Sequence, residues 1–449
     1  MTTVTVESER EGLLRVLGRW DLTAIGVNQV IGGAIFAVPA VLAAQAGAWS
    51  PWLVLAVGLA SILIGITFAE VASRFEATGG PYLFARTAFG RFVGFEVGWM
   101  AWITRVASLA SVVNVLALSL GFYWPALTSG NGRTALVLVT VGLVTAINLR
   151  GIRQSSIAVN LFTIGKLAPL VLFVLVGLWY VEPSRLVPSG VIPFDQLSSA
   201  ALLLIFAFGG YENVPIPAGE SRDPRRSMPF ALVGTLAIVT AVFAAVQVVA
   251  LGTLPGLASS TAPLADAAST FLGPSGAAML TAGAVVSIAG NNVGGAVAGS
   301  RILYALAEQG DVPAPFGRIH RRYRTPVTSI LTTAVVSLIL ALSGTFIFLA
   351  EVSAVSRLVG YVTTCAAALR LRDARFDGVV QPATFVAPFG SLIPWAAMAI
   401  GMVILAGATR ANLMAGALAL LVGALLYWTA TRQLPTPNSQ LPKESRSRE

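Results

Sequence analysis

The sequence predicts an all-α integral membrane protein of 12 transmembrane helices, and three observations predict it. First, 56% of the 449 residues are hydrophobic and only 11% are charged, where a soluble domain carries about 25% charged residues. Second, the apolar residues fall into runs of about 20, the length a helix needs to cross the hydrocarbon core. Third, the basic residues are segregated. If the N-terminus lies inside the cell, all but six of the 29 Lys and Arg fall in or beside cytoplasmic segments. The external segments hold only Arg133, Arg185 and Arg410, and the spans hold Arg105, Lys166 and Arg357. One missed span would invert every later loop and destroy this bias, so both termini are expected on the cytoplasmic side. The net charge of +9 thus reflects loop arginines and not a nucleic-acid partner.

Taken in order, the spans are expected at 20–44, 51–73, 92–124, 134–150, 155–180, 198–219, 228–253, 275–306, 326–343, 345–371, 390–408 and 411–431. Each is bounded by charge, Gly or Pro. The chain divides into a tail at 1–19, a first five-helix unit at 20–180, a second at 198–371, two peripheral helices at 390–431 and a tail at 432–449. The first tail is polar, so the first apolar run reads as a retained span and not a cleaved signal. The second is rich in Pro and Ser and is expected to be disordered. The external stretch near 254–274 is long enough to hold short helices. His320 stands alone in a basic loop, with no cluster to ligate a metal. The lone Cys365 lies in an apolar run and can close no intrachain disulfide; it also leaves no external cysteine for a linked subunit.

Two spans are interrupted. The first reads Gln29-Val30-Ile31-Gly32-Gly33-Ala34, with Pro39 following; the sixth reads Phe206-Ala207-Phe208-Gly209-Gly210-Tyr211-Glu212. Adjacent glycines weaken a helix by about 1 kcal/mol each relative to alanine. Backbone released at membrane depth must line a cavity or be buried in protein. Small residues also serve close helix packing. Two interruptions at corresponding places of two five-span halves point instead to the binding site of a secondary transporter. A half-helix beginning after Gly32-Gly33 offers N–H groups to a carboxylate. Carbonyls near Gln29, Val30, Phe206 and Gly209 suit an ammonium, and an α-amino acid carries both groups.

Lys166, within Thr163-Ile-Gly-Lys166-Leu-Ala-Pro, sits near the middle of the fifth span. A charge there is a functional-site hypothesis by default. An ammonium stripped of water gives up its proton more readily, which suits a proton carrier; a structural lysine held by a carbonyl is the alternative. Arg105 lies about 20 Å into the third span. A guanidinium facing a pocket would repel cationic substrates, unless a salt bridge to Glu212 or Glu351 cancels it. Asn291-Asn292 could face the pocket or another helix, and no role is apparent for Arg357.

The sequence resembles the amino acid–polyamine–organocation (APC) superfamily of LeuT-type fold over residues 15–375. The likeness is carried by Trp20-Asp21-Leu22 leading to Ile31-Gly32-Gly33-Ala34-Ile35-Phe36, by Ala69-Glu70-Val71-Ala72-Ser73-Arg74-Phe75 with Gly79-Gly80-Pro81-Tyr82, and by Phe208-Gly209-Gly210-Tyr211-Glu212 with Pro217-Ala218-Gly219-Glu220 and Pro224-Arg225-Arg226. Ser300-Arg301 and Tyr304-Ala305 before Gln309-Gly310 fit as well. The resemblance implies ten core helices in two inverted five-helix repeats, with helices 1 and 6 discontinuous, plus two peripheral helices. It implies that the N–H groups of Gly33 and Ala34 bind a substrate carboxylate, that the carbonyls of Val30, Phe206 and Gly209 bind its ammonium, and that Phe206 is an aromatic lid. The family's Gly-Ser-Gly is replaced at Gly33-Ala34, so a serine hydroxyl contact is lost. In proton-coupled bacterial relatives a fifth-helix lysine takes the place of sodium. Lys166 is expected in that role, beside carbonyls near Gly26 and Val27 and the hydroxyl of Ser287, with Glu212 linked to gating.

The expected substrate site is therefore Gln29, Val30, Ile31, Gly32, Gly33, Ala34, Arg105, Phe206, Gly209 and Gly210, with Lys166, Glu212 and Ser287 for coupling. The expected activity is proton-coupled uptake of a neutral amino acid, because Phe206 and Phe208 suggest an apolar pocket. Amino acid exchange, including exchange of cationic amino acids or polyamines, and a non-transporting amino acid-binding membrane sensor are the alternatives. No cofactor, no metal, no nucleic acid and no enzymatic chemistry are expected; the partners are the amino acid and the bilayer of the cell's inner membrane, and sodium is disfavoured.

Overall fold

The computed structural model describes residues 17–76, 80–150, 156–215, 221–320 and 325–432, with side chains outside 156–164 and 431–432. The bulk of both expected tails, Gly79, the Pro217-Ala218-Gly219-Glu220 motif and Arg321, Arg322 and Arg324 lie outside these. Among the described residues the chain is all-helical, with two isolated bridges and no strand.

The first apolar run forms two helices, α1 (Arg19–Val30) and α2 (Val38–Ala46), joined by a bend and a 3-10 turn at Ala34–Phe36. Pro39 stands in the first turn of α2, where its missing N–H costs nothing. α3 (Ser50–Ala72), α4 (Gly80–Phe89), α5 (Arg91–Gly121), α6 (Gly130–Arg150) and α7 (Ser156–Gly177) complete the first half. The second half holds α8 (Phe194–Phe208), a 3-10 turn at Tyr211–Asn213, α9 (Pro224–Thr253), α10 (Pro263–Glu308), α11 (Val327–Ser343) and α12 (Phe346–Arg370). α13 (Leu392–Ala406) and α14 (Arg410–Arg432) follow.

Eight helices among the described residues are long and apolar enough to cross a membrane, and three shorter apolar helices accompany them. Within the described residues, every expected span overlaps helix. The largest difference is α10, which begins 12 residues before the expected start at 275. Pro263 opens it and Gly273, at φ +64, kinks it. The apolar run starts beyond that kink; the segment before it lies within the 254–274 stretch, which has the length for short helices. α4 was also not expected as a separate element; it is short and follows Gly80 at φ +55.

Three pairs of helices at equal positions of the two halves pack together: α3 on α9, α5 on α10 and α6 on α11. One end of the bundle is tied by charge. Buried Glu70 accepts from Arg372 Nε at 2.7 Å and Nη2 at 2.6 Å, and from the Ala387 N–H at 2.9 Å. Arg91 pairs with buried Asp311 at 2.7 Å. At the other end Arg133 closes α6 onto Asn114 Oδ1 at 2.8 Å and the Ala341 and Gly344 carbonyls. Leu138, Val139 and Leu143 of α6 and Leu418, Leu421 and Leu425 of α14 stay exposed, as befits faces turned to lipid. Cys365 is fully buried.

Candidate functional site

The two interruptions meet. α1 ends where Ile31 leaves helical geometry at ψ 85, and its N–H and that of Gly32 bond back to the carbonyls of Val27 and Val30. The N–H groups of Gly33 and Ala34 make no hydrogen bond. α8 ends at Phe208; Gly209 turns extended and Gly210 takes φ +131. A Cβ built on Gly210 would lie 2.7 Å from the Gln29 carbonyl oxygen. Only glycine combines that torsion with that approach. Gly210→Ala should therefore cost about 1 kcal/mol or more, read as a lower melting midpoint in detergent together with reduced uptake. Gly294→Ala, whose Cβ would meet nothing within 4 Å, should change neither.

Between the breaks lies a cavity of about 30 Å³ lined by Gln29, Val30, Gly32, Gly33, Ala34, Arg105, Ser108, Val112, Phe206, Ala207, Gly209, Asn291 and Arg357. It holds about one or two waters, so the site is contracted. Most of the expected substrate residues line it. Ile31 is fully buried behind the bend, and Gly210 faces the α1 backbone. Asn291 faces the cavity, with its side chain 3.1 Å from where a Gly32 Cβ would stand, whereas Asn292 is buried without a side-chain partner. Phe206 contributes to the lining and meets Phe346 edge-on at 6.2 Å. Phe208 does not line it; it stacks on Phe243 at 5.4 Å.

The cavity is more charged than the sequence suggested. Arg357 Nη1 donates to the Phe206 carbonyl at 3.2 Å, and that carbonyl already accepts from the Gly209 N–H at 3.1 Å. A Cβ on Gly209 would fall on the Arg357 guanidinium, so the double glycine makes room for this arginine. Glu212, in the turn after the break, accepts from the Gly210 N–H at 2.7 Å and the Tyr361 hydroxyl at 3.0 Å. It lies 3.3 Å from Arg357 Nε and 3.8 Å from Arg105 Nη2. Arg105 also donates to Asn213 Oδ1. Glu351 is not the partner of Arg105; it accepts from Ser199 and Asn412. Arg357 and Tyr361 are one helical turn apart on α12, on one face. That i, i+4 pair was the signal available in the sequence, but nothing there showed that the face points at the breaks.

Lys166 is buried, and its Nζ donates to the Asn28 carbonyl at 2.5 Å. The acceptor is one residue beyond the expected carbonyls of Gly26 and Val27, because the last turn of α1 turns Asn28 toward α7. Ser287 is fully buried on α10 with its hydroxyl unpartnered. It sits beside the α7 contact, where Val286 would lie 3.1 Å from a Gly165 Cβ; no hydrogen bond joins it to Lys166. Among the described residues no group of His, Cys, Asp and Glu could hold a metal ion.

The family model described as Amino acid permease matches residues 17–431. A methylthioribose transporter of Bacillus subtilis (strain 168) is 26% identical, over 96% of this chain and 97% of the relative. A serine/threonine exchanger of the same organism is 26% identical over 93% and 96%. A transporter of Mycobacterium tuberculosis (strain ATCC 25618 / H37Rv) is 32% identical over 80% and 81%. A match across nearly the whole chain, on a helical bundle whose two interrupted spans enclose a cavity, makes this chain a multi-pass membrane protein that belongs to the amino acid permease family of the APC superfamily.

Proposed function

We propose that the chain is a secondary active transporter that moves an amino acid across the cell's inner membrane by alternating access, coupled to protons. The observation that carries this is the cavity between the two facing helix breaks, lined by Gly33 and Ala34, whose N–H groups make no hydrogen bond among the described residues. They supply a carboxylate site. A contracted cavity with ties at both ends fits an occluded intermediate, which must open on one side at a time.

The finer arrangement is twelve spans in a LeuT-type 5+5 inverted repeat, residues 20–180 and 198–371, with peripheral helices at 390–431 and both tails cytoplasmic. The pairing of α3, α5 and α6 with α9, α10 and α11 supports it. Lys166 favours protons over sodium, since its ammonium takes a carbonyl of the first break. No cofactor enters the scheme, and the work is transport, not catalysis. The expectation of a neutral side chain rested on Phe206 and Phe208. It loses support because Phe208 packs elsewhere and two guanidiniums line the cavity.

The test is uptake of a labelled amino acid mixture into liposomes holding the purified protein. Proton-coupled symport requires accumulation under an inward proton gradient and none under an inward sodium gradient alone. One relative is a serine/threonine exchanger, so exchange is the second reading; uptake confined to preloaded vesicles would select it. Absence of uptake in every condition would overturn the transporter reading.

A further inference from the structure

We infer that the substrate is an acidic amino acid, a net monoanion with a second carboxylate, and that Arg357 is the specificity-determining residue. This inference rests on the transporter reading above. It begins from the place of Arg357, whose guanidinium occupies the Phe206 carbonyl, the acceptor a substrate ammonium would otherwise use. The side chain is 4% exposed. It is wedged against the double glycine at a spot that no Cβ-bearing residue at 209 would leave open.

The charges facing the cavity do not cancel. Arg105 and Arg357 are both guanidiniums, which stay protonated. Among the described residues, Glu212 is the one carboxylate within ion-pair distance of either. Tyr361 donates to that carboxylate, and Asn213 and Asn291 are neutral. Lys166 lies behind the α1 break on the Asn28 carbonyl and adds no negative charge. The site therefore carries one positive charge in excess among the described residues, and Arg357 bears it with little contact with solvent. A buried uncompensated charge is costly, and a ligand of opposite charge relieves that cost. A zwitterion with an apolar side chain leaves the excess in place and sets its ammonium beside Arg357. A cationic substrate adds to it.

An acidic amino acid balances the site. Its α-carboxylate meets the Gly33 and Ala34 N–H groups, and its second carboxylate meets the guanidinium edge that Glu212 leaves unused. Arg357 Nη1 is held by a neutral carbonyl, which a charged acceptor displaces readily. The Phe206 carbonyl, once released, is then available to the ammonium. Glu212 and the Tyr361 hydroxyl hold the rest of the guanidinium in place during that exchange.

The experiment is competition in proteoliposomes of the full chain. Uptake of labelled glutamate, aspartate, leucine and lysine is measured, each against an excess of the other three and of 4-methylpentanoate, which has one carboxylate and no ammonium. The inference requires saturable glutamate or aspartate uptake that leucine and lysine do not suppress. In Arg357→Gln the KM for the acidic substrate should rise about 30-fold or more, the scale of truncating one partner of a buried charge pair, and Arg357→Lys should recover part of it. Leucine or lysine uptake that excess glutamate leaves unchanged would overturn the inference while leaving the transporter reading intact. Suppression of glutamate and aspartate uptake by 4-methylpentanoate as strong as by each other would overturn it too. Uptake of none of them would remove both. The wild-type profile decides the matter even if Arg357→Gln fails to fold.

Discussion

Lys166→Ala should abolish accumulation driven by a proton gradient while leaving equilibrating exchange of the same amino acid. With one proton per substrate, a gradient of about one pH unit supports about tenfold accumulation, because 1.4 kcal/mol is a factor of ten. The variant should fall to no accumulation at all. The lysine is the cation on the Asn28 carbonyl, two residues before Val30, at the point where α1 stops. Its protonation state therefore bears on the geometry of the break itself. Removing the side chain leaves that carbonyl to water, for which the vacated volume is large enough. Lys166→Arg is the sharper variant. It preserves the positive charge but cannot release a proton in a protein, so it too should lose accumulation. A Lys166→Arg variant that still concentrates substrate under a proton gradient would place the coupling proton elsewhere.

The second large effect concerns stability. Glu212→Ala should destabilise the protein by about 3–5 kcal/mol, the cost of stranding buried charge after one partner is removed. Two guanidiniums lose their common carboxylate at once, and the Gly210 N–H and the Tyr361 hydroxyl lose their acceptor. The melting midpoint in detergent should drop steeply, and the protein should elute heterogeneously in size-exclusion chromatography. The double variant Glu212→Ala with Arg357→Met should recover part of the loss, since it removes a charge with its partner. No recovery would mean that Glu212 acts chiefly through the backbone of the break.

The fold was legible because membrane spans announce themselves through length and hydropathy. Each expected segment meets a helix, and the paired glycines marked both breaks before any geometry was known. α4 was not legible, because a short helix carries no long apolar run, and the first segment of α10 was legible only as room for a short helix within 254–274, not as the start of the eighth span. The site was half legible. Gly33, Ala34, Phe206, Gly209 and Arg105 followed from pattern and resemblance. Arg357 did not. A sequence shows that an arginine is buried in a span, but only the rotation of α12 about its axis shows that it meets a break four spans earlier. The same holds for Asn291 against Asn292: adjacent residues on a helix point about 100° apart, and the choice between them is made by packing.

Cys365 has a practical corollary. The chain's one thiol lies fully buried in α12, out of reach of water-borne maleimides and spin labels. The native protein is thus nearly silent to such reagents without any cysteine being removed. Single cysteines placed at Ser108 on the cavity wall and at exposed Thr134, beside the Arg133 tie, would each report on their own surroundings. Their labelling rates, with and without substrate, would show which side of the site admits solvent in each state.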